Sequence, residues 1–318
     1  MAKKEFKAES KRLLELMIHS IYTHKEIFLR ELLSNASDAI DKLSYRSLTD
    51  EGVGLSRGDF AITVTPDAEK RTLTVSDNGI GMSREELEEN LGVIANSGTF
   101  RFRQELSPEK AGDTDVIGQF GVGFYSAFMV ADHITVISKK YGEEQAYRWE
   151  SSGADGYTVD PCEKETVGTD IILHLRDDGD EPDEYSQYLR EGTLARLVKK
   201  YSDYIRFPIR MEMTHSRRKE GSPDDKPEFE DVREWETVNS MVPLWQRKKS
   251  DVKREEYDKF YQERFGDMTP PQSVVTVSAE GAVTYQALLF IPSQAPGLYY
   301  TEDYEPGLQL YSSGVMIM

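Results

Sequence analysis

Three short runs in this 318-residue chain carry residue types that can do chemistry together. The first is Glu31, Asn35 and Asp38, spaced i, i+4, i+7 within a stretch of helical periodicity, so all three project from one face. Such a stripe is either a solvated face or the lining of a cavity. In a cavity, a carboxylate can orient or deprotonate a water. An amide oxygen one turn on can ligate Mg²⁺, which takes hard oxygen donors and keeps several waters. The second run is Asp77-Asn78-Gly79-Ile80-Gly81, at the end of a strand-like stretch. It is either a strand-ending turn or a base-reading loop. In the latter, the carboxylate accepts a hydrogen bond from an exocyclic amine and the glycines let a flat ring approach the backbone. The third is Gly118-Gln119-Phe120-Gly121-Val122-Gly123-Phe124, leading into a helical stretch. Glycines before a helix N-terminus can present N–H groups to an anion, or can simply end a flexible loop. The run lacks a G-K-[ST] ending, and no acid-terminated βαβ unit surrounds it, so neither a Walker A loop nor a dinucleotide fingerprint is present.

The elements that must position these runs follow from periodicity. Residues 7–21 read as a short amphipathic helix, and residues 25–48 as a longer one with Ile27, Phe28, Leu32, Ala36, Ile40 and Leu43 on its apolar side. Residues 60–65 and 72–76 alternate as strands, with Pro66 and Asp67 between them, which predicts a hairpin. Ser83 with Glu86 predicts a capping box and a helix over about 84–90. Residues 92–123 hold six glycines and no steady period, the mark of a functional loop or lid. Strands are expected at 134–138, 145–150, 169–175, 205–213, 274–278 and 283–291, and helices at 124–130, 183–203 and 254–265. The acidic run 177–184 reads as a solvated loop, and the charge-dense 212–234 as an interdomain linker.

Composition narrows the function. Lys and Arg number 39 against 57 Asp and Glu, a net charge of −18. That argues against nucleic acid and membrane surfaces as general partners. The single cysteine, Cys162, excludes an internal disulfide and a multi-cysteine zinc site. No signal peptide and no run of 18 apolar residues is found, so a cytoplasmic location is expected. The last residues, 308–318, read as the middle of a strand, which suggests a piece of a longer protein.

An acid/amide helix, a strand-end acid with glycines and a glycine-rich helix lead-in follow one another within 100 residues. This is the order of the split ATP-binding fold shared by type II topoisomerases, sensor histidine kinases and mismatch-repair ATPases. The match then becomes specific. HSIYTHKEIFLRELLSNASDAIDKL (19–43), SDNGIGMSREEL (76–87), GQFGVGFYSAFMVAD (118–132), GTDIILHL (168–175), PLWQRKKSDV (243–252) and LLFIPSQAP (288–296) resemble the 90-kDa heat-shock chaperone family, bacterial type.

The resemblance implies an α+β fold: an N-terminal split-ATPase (Bergerat-type) α/β sandwich with a mostly antiparallel sheet, followed by the start of an α/β middle domain. The ATP-binding domain would span 1–211 with a lid at about 92–123, the linker 212–232, and a truncated middle domain 233–318. It further implies an ATP-dependent, stress-responsive chaperone that hydrolyses ATP with Mg²⁺ and acts on client proteins, as a homodimer whose dimerisation domain is absent from these 318 residues. By motif, Glu31 would be the general base, Asn35 would hold Mg²⁺, and Asp77 would bind the adenine amine with Gly81, Met82 and Thr169 around the base. Asn90 would contact the nucleotide, and Gly121, Val122, Gly123 and Phe124 would contact the phosphates through their backbone. Asn90 and Thr169 enter through the resemblance alone. Asn96 stands where the family often has a lysine in its lid, which weakens phosphate contacts there. The family's γ-phosphate arginine lies on a segment beyond residue 318, so weak hydrolysis by this chain is expected. A histidine kinase or topoisomerase subunit is the alternative. The only helical phosphoacceptor candidate, His19, sits inside a chaperone-like run, and the acidic charge disfavours DNA.

Overall fold

The computed structural model describes residues 24–93, 122–153, 155–179, 184–219, 221–222, 228–281, 284–295 and 307–317. The expected helix at 7–21, most of the lid, Asn96 and Gly121 lie outside these residues. The chain divides into two compact units, one of Met1–Ser240 with Ser312–Val315 and the other of Met241–Tyr311 with Met316–Met318.

The first unit is built on an eight-stranded sheet. Its strands are β1 (Ile62–Asp67), β2 (Thr72–Asp77), β3 (Ala131–Lys139), β4 (Ala146–Ser151), β5 (Tyr157–Cys162), β6 (Gly168–Leu175), β7 (Ile209–Arg218) and β8 (Phe229–Thr237), in the order β5-β4-β3-β6-β2-β1-β7-β8. All neighbours are antiparallel except β1 and β7, which pair in parallel through Ile62↔Ile209. The sheet is therefore mostly antiparallel, as expected. One face carries Ile62, Val64, Leu73, Val75, Val136 and Leu173, all at most 1% exposed. Helix α1 (Ile27–Ser47) belongs to the layer that covers this face, contributing Phe28, Leu32, Leu33 and Ile40. Alternation along each strand leaves the opposite face polar and only partly covered. Two further helices are α2 (Arg84–Leu91) and α3 (Glu191–Tyr201). The Ser83–Glu86 capping box starts α2: the Ser83 hydroxyl accepts from the Glu86 amide, and the Glu86 carboxylate accepts from the Ser83 amide at 2.9 Å.

Several elements differ from expectation. Residues 123–129 form a 3₁₀ helix, and residues 183–203 divide into a 3₁₀ turn (Tyr185–Leu189) and α3. Pro66 and Asp67 belong to β1, and the turn falls after them, where the Lys70 amide donates to Asp67 at 3.0 Å. The charged stretch 212–234 is largely the β7–β8 hairpin, not an extended linker. Its polar side chains pair across the two strands: Arg217 with Glu234 at 2.9 Å, Arg233 with Glu212 at 3.8 Å, and the His215 ring with the Glu236 carboxyl at 2.5 Å. Both faces of this sheet edge are wet, so charged residues sit where apolar ones would mark a strand. The first compact unit runs on through the hairpin to Ser240. Just before it, the buried Asn239 amide accepts from the Ile209 amide (2.8 Å) and donates to the carbonyls of Ile205 (2.9 Å) and Phe207 (3.0 Å).

In the second unit, α4 (Arg254–Phe265) lays Phe260, Tyr261 and Phe265 against Phe290 of β10 (Tyr285–Ile291), with ring centroids 5.2–6.0 Å apart. β10 pairs antiparallel with β9 (Ser273–Ala279). Later in the chain, and belonging wholly to neither unit, the two-residue strands β11 (Tyr311–Ser312) and β12 (Val315–Met316) pair with each other.

Candidate functional site

Helix α1 carries the first pair of candidates one turn apart. Glu31 and Asn35 are both partly exposed on a helix whose other sides are buried. Asp38, the third member of the stripe, is 1% exposed, so the stripe is not a solvated face. Arg30 holds one oxygen of the Glu31 carboxylate, Oε1, through Nε at 3.0 Å and Nη2 at 2.5 Å. The other oxygen, Oε2, faces Gly123: a Cβ at position 123 would lie 2.2 Å from it. The acid helix and the glycine-rich run, 92 residues apart in sequence, thus meet at one carboxylate oxygen. Among the described residues the Asn35 amide makes no hydrogen bond, so its oxygen is free to take a ligand.

The Asp77 loop is seated on the same helix. The Ile80 amide donates to the Ala39 carbonyl at 3.0 Å, and a Cβ on Gly79 would lie 2.4 Å from the Ala39 carbonyl carbon. Only glycine lets the loop lie this close. Gly81, at φ +67°, adopts a left-handed conformation and abuts the Lys139 carbonyl at the end of β3. Asn78 latches the loop to the segment before β1, accepting from the Ala61 amide at 3.0 Å and donating to the Asp59 carbonyl at 2.8 Å.

Asp77 closes β2 and faces Thr169 of β6 across the ladder. Its carboxylate accepts from the Gly79 amide at 2.8 Å. Burial pushes its pKa up to about 7 and the nearby Asp170 adds to the rise, while the Gly79 amide, Lys164 and the Thr169 amide oppose it. A chain of hydroxyl contacts borders this acid. The Met82 amide donates to Ser138 Oγ at 2.8 Å, and Ser138 Oγ lies 2.9 Å from Thr169 Oγ1. Asn90 of α2 turns its amide nitrogen to the Met82 sulfur at 3.9 Å. Asp77, Gly81, Met82, Asn90 and Thr169 are therefore one neighbourhood. Ser138 belongs to it as well and was not singled out in the sequence. No local motif marks it, because its place depends on the β3–β6 register.

Val122 precedes the 3₁₀ helix Gly123–Met129. The Phe124 side chain is buried, edge-on to Trp149 at 5.5 Å and Tyr125 at 5.6 Å, which leaves only its backbone to face a ligand. The Tyr125 hydroxyl donates to the Leu91 carbonyl at 3.0 Å and so ties this helix to the end of α2.

Residues 22–164 match the sequence model of the histidine kinase-, DNA gyrase B- and HSP90-like ATPases. That match alone leaves three kinds of protein open. Residues 219–318 match the model of the Hsp90 protein. This second match is specific to the Hsp90 family. Over all 318 residues it is 56% identical to the chaperone protein HtpG of Bacillus subtilis (strain 168), and 55% identical to the proteins of that name from Clostridium botulinum (strain Okra / Type B1) and Alkaliphilus oremlandii (strain OhILAs). It spans about half the length of these relatives, 50% in each case. The ATPase-model match over 22–164 agrees with the α+β sandwich of the first unit. Among the described residues, no helix is long and apolar enough to cross a membrane.

Proposed function

We propose that these 318 residues bind and hydrolyse ATP as part of an ATP-dependent protein-folding chaperone. The observation that carries this reading is the meeting of Glu31 with Gly123 on a helix that also seats the Asp77 loop. One helix would then register both ends of a nucleotide, with Asp77, Gly81, Met82, Asn90 and Thr169 around the adenine and Val122, Gly123 and Phe124 at the phosphates. Asn96 and Gly121 are assigned to the same nucleotide by motif.

Each role has a physical basis. Ionised Asp77 accepts from the exocyclic amine, and a buried acceptor rejects bases that offer no N–H there. Glu31, held by Arg30 through one oxygen, keeps the second oxygen available to orient and deprotonate a water. No group of three or more His, Cys, Asp or Glu that could hold a metal occurs among the described residues. The Asn35 amide oxygen is a hard donor and fits an ion that brings its own waters and phosphate ligands, as Mg²⁺ does. When bound, Mg²⁺ would neutralise phosphate charge.

The Hsp90 match over 219–318 favours the chaperone over a kinase or a gyrase subunit. We extend the proposal to client proteins as partners, a homodimer in the full-length protein and a cytoplasmic location. Hydrolysis by the 318 residues alone is proposed to be slow, since the family's γ-phosphate arginine lies outside them. Isothermal titration with ADP, a non-hydrolysable ATP analogue and an ansamycin competitor tests the site, and all three should bind. Failure of all three would overturn the assignment. ATP turnover as fast as that of a full-length relative would refute the arginine argument.

A further inference from the structure

Behind the loop that carries Asp77 lies a charged pair that the nucleotide reading does not use. Lys164, from the β5–β6 turn, donates to Asp170 of β6 at 2.5 Å, and its side chain is only 10% exposed. Asp170 is opposite Ser76 in the β2–β6 ladder, while its neighbour Thr169 is opposite Asp77. Successive side chains alternate between faces, so Asp170 stands on the far side of the sheet from the base-reading side. Gly168, next in line, lies against the Asp77 carbonyl, where a Cβ would come within 2.1 Å. The ion pair is thus fixed to the strand that abuts Asp77, out of reach of a ligand on the other face.

We propose that the Lys164–Asp170 pair is a positioning and charge-setting element of the adenine site, holding Asp77 in balance between one positive and one negative neighbour. The proposal rests on the reading of Asp77 as the adenine acceptor. Its physical basis is that like charge disfavours ionisation of a carboxylate and opposite charge favours it. Asp170 pushes the Asp77 pKa up and Lys164 pulls it down. Other charged groups border the loop from every side. From the end of β3 comes Lys139, donating to the Glu165 carbonyl at 3.3 Å, and just after it Lys140, paired with Glu86 at 2.8 Å. From α1 come Asp38 and Asp41, with Asp41 paired to Arg206 at 2.9 Å. From the segment before β1 comes Asp59, held by the Ser56 amide at 2.8 Å. These groups stay constant when the pair is altered.

The test is ADP affinity by isothermal titration across pH 5.5 to 8.5. Titration of ADP itself is common to every variant and cancels between them. In the unmodified chain, affinity should fall as pH drops through the Asp77 transition. Asp170→Asn removes the negative neighbour and leaves Lys164 uncompensated, so the midpoint should move down by about half a pH unit. Lys164→Met should move it up by about as much, and the double variant should return it near the start. Lys164→Arg keeps the charge and should leave the midpoint in place. Lys164→Gln repeats the charge removal if the Met variant does not fold. Merely structural damage would move both single variants alike, so shifts of one sign, or none, overturn the proposal. If unmodified chain fails to bind ADP, or Asp77→Asn leaves the affinity unchanged, the adenine reading itself falls instead.

Discussion

Gly123→Ala should slow ATP hydrolysis by about 100-fold without abolishing nucleotide binding. Gly123 is not among the left-handed glycines, so alanine can adopt its backbone and only the added methyl matters. That methyl would sit 2.2 Å from Glu31 Oε2, 3.2 Å from its carboxyl carbon and 3.3 Å from its Cβ, where ordinary contact begins at 3.4 Å. The carboxylate must therefore retreat by more than 1 Å. It is the far end of a flexible side chain, so the fold should survive. A misplacement of about 1 Å at a reacting group can cost about 100-fold in rate, equivalent to about 2.7 kcal/mol of barrier. The assay is single-turnover hydrolysis of radiolabelled ATP with protein in excess, alongside ADP titration. ADP affinity should stay within about threefold, because the Gly123 N–H is retained. Glu31→Ala sets the floor for turnover. If Gly123→Ala hydrolyses within about threefold of the parent, the carboxylate is not the group that activates water. If ADP affinity collapses with the rate, Gly123 acts on the phosphates instead of through Glu31.

Three further outcomes are expected. Asn239→Ala removes three hydrogen bonds and leaves two carbonyls and an amide in need of partners, at a cost of about 3 kcal/mol. The thermal midpoint of the first unit should fall by roughly 6–12 °C, and a drop under about 2 °C would contradict this. Because the Asp77 pKa is raised in the folded chain to about 7, the folded state holds a proton that the unfolded state releases near pH 4. The stability from this group is complete at low pH and is lost as pH rises through about 7. Without nucleotide, Asp77→Asn should therefore gain stability relative to the parent between pH 4 and 7, and a constant gap would refute this. Glu234→Gln breaks the half-exposed pair with Arg217 and should shift the thermal midpoint by about 1 °C or less in calorimetry, as exposed pairs contribute little.

What could be read before the fold was known depended on how local each signal was. The Ser83–Glu86 box and the Glu31/Asn35 spacing are decided within one or two helical turns, and both stand in the structure as expected. Asp77 at a strand end was legible for the same reason. Thr169 and Ser138 were not, because their place beside Asp77 is set by strand register over 92 and 61 residues of chain. The β7–β8 hairpin was hidden in another way. Alternating charges at a doubly wet sheet edge look like a solvated loop until the cross-strand partner is known. β5 carries no plain strand signal because Pro161 breaks its pattern, although proline is tolerated at a sheet edge.

The parallel pairing of β1 with β7 has a consequence for how the molecule is made. Ile62 meets Ile209 only after 147 further residues have been synthesised. At about 5–20 residues per second, β1 waits roughly 7–30 s on the ribosome with one edge unpaired. Its neighbour β2 is to hand almost at once, but β6 and β7 arrive late. A nascent chain of this protein thus exposes a half-built apolar sheet for many seconds. During its own synthesis, the chain presents the kind of surface on which unfinished proteins stick together.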